Sequence, residues 1–167
     1  MKKAVSILIM LCMAVGLIVS GCSSKAPGDG SAAADDSWTK IKEKGYFIVG
    51  LDDSFPPMGY RDDKNDIVGY DIDLAKEVAK RMGVEVKFQP VVWRTITQEL
   101  NKGTIDVVWN GCTITDDRKE VIDFTKPYMN NKQILAVKKD SAYQTFEDLK
   151  GKKLAIQQGS SSEIALD

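Results

Sequence analysis

The chain has 167 residues, of which 43% are hydrophobic and 28% charged, with 23 basic side chains against 24 acidic ones. This composition excludes collagen-like and intrinsically disordered chains, and the formal net charge of −1 argues against a basic nucleic-acid-binding surface. The sequence contains no histidine, so the commonest general acid-base side chain and the commonest metal ligand are both missing. Enzymatic catalysis is therefore disfavoured, and neither a metal nor a cofactor is expected.

The N-terminal segment has the layout of a bacterial export signal. Two lysines precede an almost wholly apolar run over 4–19, and two small residues follow directly before Cys22. This pattern predicts a signal peptide over 1–21; a transmembrane helix is the competing interpretation, because about 20 apolar residues span a bilayer. The string VSGC that ends at Cys22 resembles the lipobox of bacterial lipoproteins, which implies cleavage before Cys22 and a diacylglyceryl and palmitate-type lipid anchor.

Small and polar residues follow this segment. Residues 22–37 contain no large side chain that could enter a core, so they predict a flexible tether that starts at the lipidated Cys22. We therefore expect a protein held on the extracytoplasmic face of a bacterial cell membrane. Cys12 leaves with the signal peptide, and Cys112 is then the remaining thiol besides Cys22, so no intramolecular disulfide is expected. Cys112 is expected to act as a small buried apolar side chain.

Helical and extended patterns alternate from Trp38 onward. In chain order, the predicted elements are a helix capped by Ser37 that ends at Gly45, a strand over 46–51, a polar hairpin turn over 62–66, a helix capped by Asp71 that ends at Gly83, a strand over 84–88, a helix over 95–102, a strand over 105–109 and a helical turn capped by Thr115. These assignments follow from hydrophobic periodicity and from capping residues at the element ends. The βαβα order predicts an α/β domain with a largely parallel sheet.

The same alternation restarts near residue 133. It predicts strands over 133–137 and 153–157, a helix over 145–150 and a further helix that begins near Ser161. Folds below about 40 residues usually need disulfides or a metal, so the stretch 133–167 is too short for an independent domain. We therefore expect it to be an incomplete second lobe beside a nearly complete first one.

Three loops that follow predicted strands contain the candidate site residues: 52–58 (DDSFPPM), 110–118 (NGCTITDDR) and 157–162 (QQGSSS). Open α/β folds bind ligands at the carboxyl edge of their strands, so we expect these loops to meet there. Arg118 suits a carboxylate, because its guanidinium can bind both oxygens at once. The rings of Phe55 and Trp93 could enclose a small ligand at little cost in side-chain entropy.

Each of these features also has a plainer structural interpretation. Phe55 and Trp93 are equally typical of core aromatic residues, and Arg118 of a surface pair with the aspartates just before it. The loop 157–162 lacks the Gly-Lys-Ser/Thr of a phosphate-binding P-loop and is also typical of a helix-capping turn. The residues alone leave these alternatives open.

Four strings of the sequence together resemble the family 3 extracellular solute-binding proteins, the substrate receptors of polar amino-acid ABC importers. These strings are 68–75 (VGYDIDLA), 113–118 (TITDDR), 122–128 (IDFTKPY) and 148–153 (DLKGKK). The resemblance runs over 38–167 and implies a two-lobed, type II periplasmic-binding-protein-like fold. It implies a first α/β lobe over 38–127, a hinge crossover over 128–132 and a partial second lobe over 133–167.

The resemblance also implies roles for individual positions. Arg118 matches the residue that binds the ligand α-carboxylate, and Phe55 and Trp93 match the rings that enclose the ligand side chain. Gly111 and Thr113 match the partners of the α-ammonium and carboxylate. The remaining matched positions are Asp52 and Asn110 near the variable end of the ligand, and Gln157, Gly159, Ser160 and Ser161 in the second-lobe loop.

The function implied by the resemblance is a binding protein, not an enzyme, that captures a free polar amino acid outside the membrane and delivers it to an ABC permease. The implied partners are the amino acid, the permease subunits and the membrane through the lipid anchor; we expect a monomer that binds no nucleic acid. Two alternatives remain open: an enzyme of the same fold, such as a cyclohexadienyl dehydratase-like protein, and a sensory ligand-binding module.

The resemblance further implies that the acidic partner of the ligand ammonium lies beyond position 167. Removal of one partner from a buried ion pair is strongly destabilising. We therefore expect the chain as written to bind amino acids weakly or not at all.

Overall fold

The computed structural model describes residues 36–166. The predicted signal peptide, the lipidation site Cys22 and the tether up to residue 35 lie outside these described residues. The helices and strands are α1 (Ser37–Lys44), β1 (Tyr46–Leu51), β2 (Ser54–Phe55), β3 (Gly59–Arg61), β4 (Ile67–Val68), α2 (Tyr70–Met82), β5 (Glu85–Pro90), a 3-10 turn (Trp93–Thr95), α3 (Ile96–Lys102), β6 (Val107–Val108), α4 (Asp116–Lys119), a 3-10 turn (Glu147–Leu149) and α5 (Ser161–Ile164). Within 36–166, no helix has the length and apolar character needed to cross a membrane.

A parallel three-stranded sheet in the order β5-β1-β6 forms the centre of the fold. β1 has the bounds that its apolar run predicts, and it lies in the middle because both of its edges are paired. Phe47 and Val49 of β1 pack with Ala75 and Ala79 of α2 to form the buried core. Small alanines on the helix let it approach the sheet closely. The predicted α/β fold with a parallel sheet is therefore confirmed.

A second, antiparallel sheet in the order β2-β3-β4 lies in the connection between β1 and α2. Its β3-β4 turn is the predicted polar hairpin over 62–66. The carboxylate of Asp62 accepts hydrogen bonds from the backbone amides of Lys64 and Asp66, both at 2.9 Å, and so closes the turn.

Two of the predicted helix starts are wrong by one or two residues. Asp36 occupies the N-cap position of α1, so Ser37 is the first helical residue. Gly69 occupies the N-cap position of α2, and Asp71 lies inside its first turn. Asp71 does not cap this helix, because its carboxylate binds donors from other segments. The predicted cap of α4 is confirmed: the hydroxyl of Thr115 accepts from the backbone amide of Arg118 at 3.4 Å.

The strands predicted over 133–137 and 153–157 are absent from the described residues, and the helix predicted over 145–150 is reduced to the turn Glu147–Leu149. β6 covers only part of the strand predicted over 105–109. A strand requires a neighbour that pairs its amides and carbonyls, and no described segment pairs with 133–137 or 153–157. Their apolar side chains are correspondingly exposed, with Ile134 at 83%. The helix that begins at Ser161 is confirmed as α5.

Candidate functional site

The three candidate loops meet around one cavity of about 460 Å³. The first two follow β1 and β6, whose carboxyl ends lie at one edge of the parallel sheet, and hydrogen bonds bring the third, which leads into α5, to the same place. All the residues that the sequence singles out for ligand binding line this cavity except Gly159. They are Asp52, Phe55, Trp93, Asn110, Gly111, Thr113, Arg118, Gln157, Ser160 and Ser161.

Arg118 is buried at the wall of this cavity, with 8% of its surface exposed. One terminal nitrogen donates to the carbonyl of Thr113 at 2.8 Å and lies 3.6 Å from the sulfur of Cys112; the other donates to the carbonyl of Gly159 at 3.0 Å. Within residues 36–166, no carboxylate forms an ion pair with it. The surface-pair interpretation is therefore wrong: Asp116 pairs instead with Lys119, at 2.8 Å.

Two aromatic side chains form further parts of the wall. The guanidinium carbon of Arg118 lies 5.6 Å from the ring centre of Trp93, within the range of a cation–π contact. Phe55 is 45% exposed, so it is not a core residue. Its ring lies against the loop after β6, since a Cβ atom built on Gly111 would come within 3.2 Å of Phe55 Cε1. Both rings thus present surface to the cavity.

The loop 110–113 after β6 combines a buried amide side chain with a left-handed glycine. Asn110 is 2% exposed, and its Oδ1 accepts from the backbone amide of Asp52 at 3.2 Å. Its buried Nδ2 has no hydrogen-bond partner within the described part of the chain. Gly111 has φ of +59°, a conformation that favours glycine, and its amide donates to Asp71 Oδ2 at 2.7 Å.

The loop 157–162 bonds directly to the loops that follow β1 and β6. Gln157 donates to Asp52 Oδ2 at 2.6 Å, and Ser161 lies within hydrogen-bond distance of Thr113, at 3.1 Å between their hydroxyl oxygens. Ser160 caps α5. Gly159 lies beside the cavity rather than at its wall: its carbonyl accepts from Arg118, and its amide donates to Glu163 Oε2 at 2.6 Å.

The cavity carries charge of both signs. Burial acts to raise the pKa of Asp52, but hydrogen bonds from the hydroxyl and amide of Ser54 and from Gln157 outweigh it and hold that pKa below its ordinary value of 3.8. Asp52 is the single carboxylate among the described lining residues, whereas Arg118 and Lys132 are the lining cations. Burial raises the pKa of Cys112, against the opposing effect of Arg118, so this residue is a thiol at neutral pH.

Sequence reasoning missed several lining residues, which fall mainly in the segment after Pro127. They are Ser54, Asn131, Lys132, Gln133, Ile134 and Ser162. Asn131 Nδ2 donates to the hydroxyl of Thr113 at 2.7 Å, which brings its segment to the wall. The expected strand over 133–137 obscured this placement. The run of polar residues 130–133, which extends into the first residue of that strand, was the available signal.

Comparisons with known proteins place this geometry in context. A family model described as bacterial extracellular solute-binding proteins, family 3, matches residues 47–161. The L-cystine-binding protein TcyJ of Escherichia coli (strain K12) is 37% identical over 153 residues, which are 90% of this chain and 55% of that protein. The chain thus spans about half the length of this curated relative.

Solved structures similar in fold to this chain include two amino-acid-binding proteins. One is an ABC uptake transporter substrate binding protein from Streptococcus pneumoniae with bound histidine, with a TM-score of 0.76 and 40% identity over 79% of this chain and 54% of that one. The other is an ancestral amino acid-binding protein described as a precursor of cyclohexadienyl dehydratase, with a TM-score of 0.74 and 41% identity over 77% of this chain and 59% of that one.

Proposed function

Because this chain belongs to the bacterial extracellular solute-binding proteins, family 3, we propose that its cavity binds a free amino acid outside the cell membrane for delivery to the permease of an ABC importer. TcyJ is named for L-cystine, and the Streptococcus pneumoniae structure contains histidine. Both ligands are amino acids, with an α-carboxylate beside an α-ammonium group. The proposal therefore requires a cavity that recognises this shared pair of charges.

The observation that carries the proposal is the buried guanidinium of Arg118. A buried cation without an anionic partner is costly, and a ligand carboxylate would supply that partner. Arginine has five N–H donors, of which its contacts with two carbonyls and one sulfur use three. The two that remain can hold a carboxylate in the charge-assisted geometry that makes such pairs strong.

The aromatic walls suit the rest of an amino acid. We expect Phe55 and Trp93 to pack against the ligand side chain, since rigid rings supply contact area at low entropic cost. Asp52 and Asn110 lie on the same wall, bonded to each other through the amide of Asp52. We expect them to contact the variable end of the ligand, where the ionised Asp52 favours side chains that are cationic or donate hydrogen bonds.

Closure over the ligand is the proposed means of signalling to the permease. The loop 157–162 bonds to Asp52, Thr113 and Arg118, so a ligand held by these residues would favour the closed arrangement. We propose residues 128–132 as the hinge crossover between lobes over 38–127 and 133–167. Export by the segment 1–21, lipid anchoring at Cys22 and function as a monomer complete the proposal.

Titration with a panel of amino acids tests this function. Amide NMR spectra of the full chain are recorded while each proteinogenic amino acid, and L-cystine, is added into the millimolar range, so that weak binding is also detected. We expect one amino acid, or a chemically related group, to move the amide signals of Gly111 and Thr113 in a saturable way. Of the two outcomes that the sequence leaves open, weak binding and no binding, the proposal commits to weak binding, and a panel in which no amino acid moves these signals would contradict it.

Dehydratase activity is the second candidate, because one structural neighbour is described as a precursor of cyclohexadienyl dehydratase. Elimination of water is assisted by a protonated group near the leaving hydroxyl. Asp52 is a poor acid at neutral pH, since its pKa lies below the ordinary value. We therefore propose a binding protein and expect no turnover of prephenate. Accumulation of phenylpyruvate in such an incubation would favour the enzyme instead.

A further inference from the structure

Asp71 has a completely buried side chain outside the cavity, in the first turn of α2. Its Oδ2 accepts from the amide of Gly111 at 2.7 Å, and its Oδ1 accepts from the hydroxyl of Tyr128 at 2.9 Å. We infer that Asp71 is the positioning residue that fixes the walls of the binding cavity relative to one another, an inference that rests on the proposed amino-acid-binding function.

The first wall that Asp71 fixes is the loop after β6. Gly111 lines the cavity in a left-handed conformation, and Phe55 packs against it. The hydrogen bond to Asp71 points the Gly111 amide away from the cavity, and the peptide plane then orients the carbonyl of Asn110. The bond thereby sets the start of the loop that continues to Thr113 and Arg118.

The second wall is the segment after Tyr128. The ring of Tyr128 lies 6.2 Å from that of Trp109, at 57°, and its hydroxyl reaches the buried carboxylate. Three residues later, Asn131 bonds to Thr113 and lines the cavity. The hydroxyl of Tyr128 thus ties this segment to the same point that holds Gly111.

The third wall is held by the backbone of Asp71. Its amide donates to the carbonyl of Met58 at 3.0 Å, and the amide of Met58 donates to the carbonyl of Phe55 at 2.9 Å. One residue therefore connects α2 to the loop that carries Phe55, to the loop that carries Gly111 and to the segment that carries Asn131.

A carboxylate suits this position because it accepts from both partners at once. Burial raises the pKa of Asp71, whereas the hydrogen bonds from Tyr128 and Gly111 and the nearby indole of Trp109 oppose that rise. Two donors converge on its two oxygens. An asparagine has one acceptor oxygen and an NH₂ group, so with its oxygen facing Gly111 it presents a donor to Tyr128, whose hydroxyl must then accept instead of donating.

The substitution Asp71→Asn tests the inference, with Asp73→Asn as the matched control. Asp73 lies in the same first turn of α2 but is exposed, so its substitution removes the same charge without touching the walls. Each full chain is titrated with the panel of amino acids, and the amide proton of Gly111 is recorded without ligand. We expect Asp71→Asn to weaken binding about tenfold, or about 1.4 kcal/mol, and to move the Gly111 signal. Asp73→Asn should change neither.

Tyr128→Phe keeps the ring and removes one hydroxyl, so it tests the inference even where Asp71→Asn fails to fold. We expect it to weaken binding about threefold while the Gly111 amide keeps its position. Wild-type affinity in Asp71→Asn or in Tyr128→Phe would overturn the inference and leave the proposed function standing. If the unsubstituted chain binds no amino acid, the proposed function fails. The role of Asp71 is tested separately, because an unmoved Gly111 amide signal in ligand-free Asp71→Asn would overturn it even then.

Discussion

Substitution of Arg118 by glutamine is the change that bears most strongly on the proposed carboxylate clamp. The side chain is 8% exposed, and no described carboxylate pairs with it. Loss of one member of a buried charge pair costs about 3–5 kcal/mol, and each 1.4 kcal/mol corresponds to about a factor of ten. We therefore expect Arg118→Gln to weaken amino-acid binding between about a hundredfold and a few thousandfold.

The control for this change is Lys119→Gln in the same short helix. It removes the same charge, but Lys119 is exposed and pairs with Asp116 at the surface. Affinities are measured by calorimetry, and thermal melts of each variant show whether the fold survives. Arg118→Lys adds a finer test because it keeps the charge but lacks the planar guanidinium. Its affinity for the amino acid should lie between that of Arg118→Gln and that of Lys119→Gln. Binding by a folded Arg118→Gln protein within about tenfold of the unsubstituted chain would refute the clamp.

Three further outcomes follow from the other walls. Asp52→Asn should alter the ranking of ligands in the panel, with cationic amino acids losing the most affinity. In the unsubstituted chain, the preference for cationic amino acids should persist as the pH is lowered to about 4 and disappear only below it. The reason is that the pKa of Asp52 lies under 3.8 and its carboxylate stays charged above that pKa. An unchanged ranking would show that Asp52 does not contact the variable end of the ligand. Gln157→Ala removes the 2.6 Å hydrogen bond to Asp52 and should weaken the binding of all ligands alike, by about threefold to tenfold for a partly exposed charge-assisted bond. The affinities of two ligands are measured by calorimetry, with the exposed Gln98→Ala as control. A loss of affinity that differs between the two ligands would contradict a role of Gln157 in closure. Gly111→Ala forces a side chain into a left-handed conformation within 3.2 Å of Phe55, so the melting temperature and the affinity should both fall, and a variant with unchanged melting and binding would show that the loop is adaptable.

Local patterns in the sequence were sufficient for the elements that pack on the core. The apolar run of β1 and the alternation in β5 predict strands that form, because each finds a parallel neighbour. Thr115 predicts the start of α4, since its hydroxyl has a backbone amide within reach. From that cap follows the position of Arg118, one turn into the helix and beside the cavity.

Tertiary contacts decided the features that the sequence did not reveal. Asp71 has the chemistry of a helix cap and lies near a helix start, yet it lies inside the first turn and its oxygens bind Gly111 and Tyr128, which are distant in sequence. The apolar run 133–137 has strand periodicity, but strand formation depends on a partner that no local pattern specifies. For Arg118, sequence alone could not distinguish a surface ion pair from a buried position at the cavity wall. Asp116 lies close in sequence to both Arg118 and Lys119, and only the structure shows that it pairs with Lys119.

Recognition of the ligand carboxylate by the guanidinium of Arg118 is the step on which the proposed function depends. Calorimetry that compares the best-binding amino acid of the panel with its own α-carboxamide isolates this step, because the two ligands share the ammonium group and side chain. We expect the carboxamide to bind at least about a hundredfold more weakly. Equal affinities for the two ligands would contradict it.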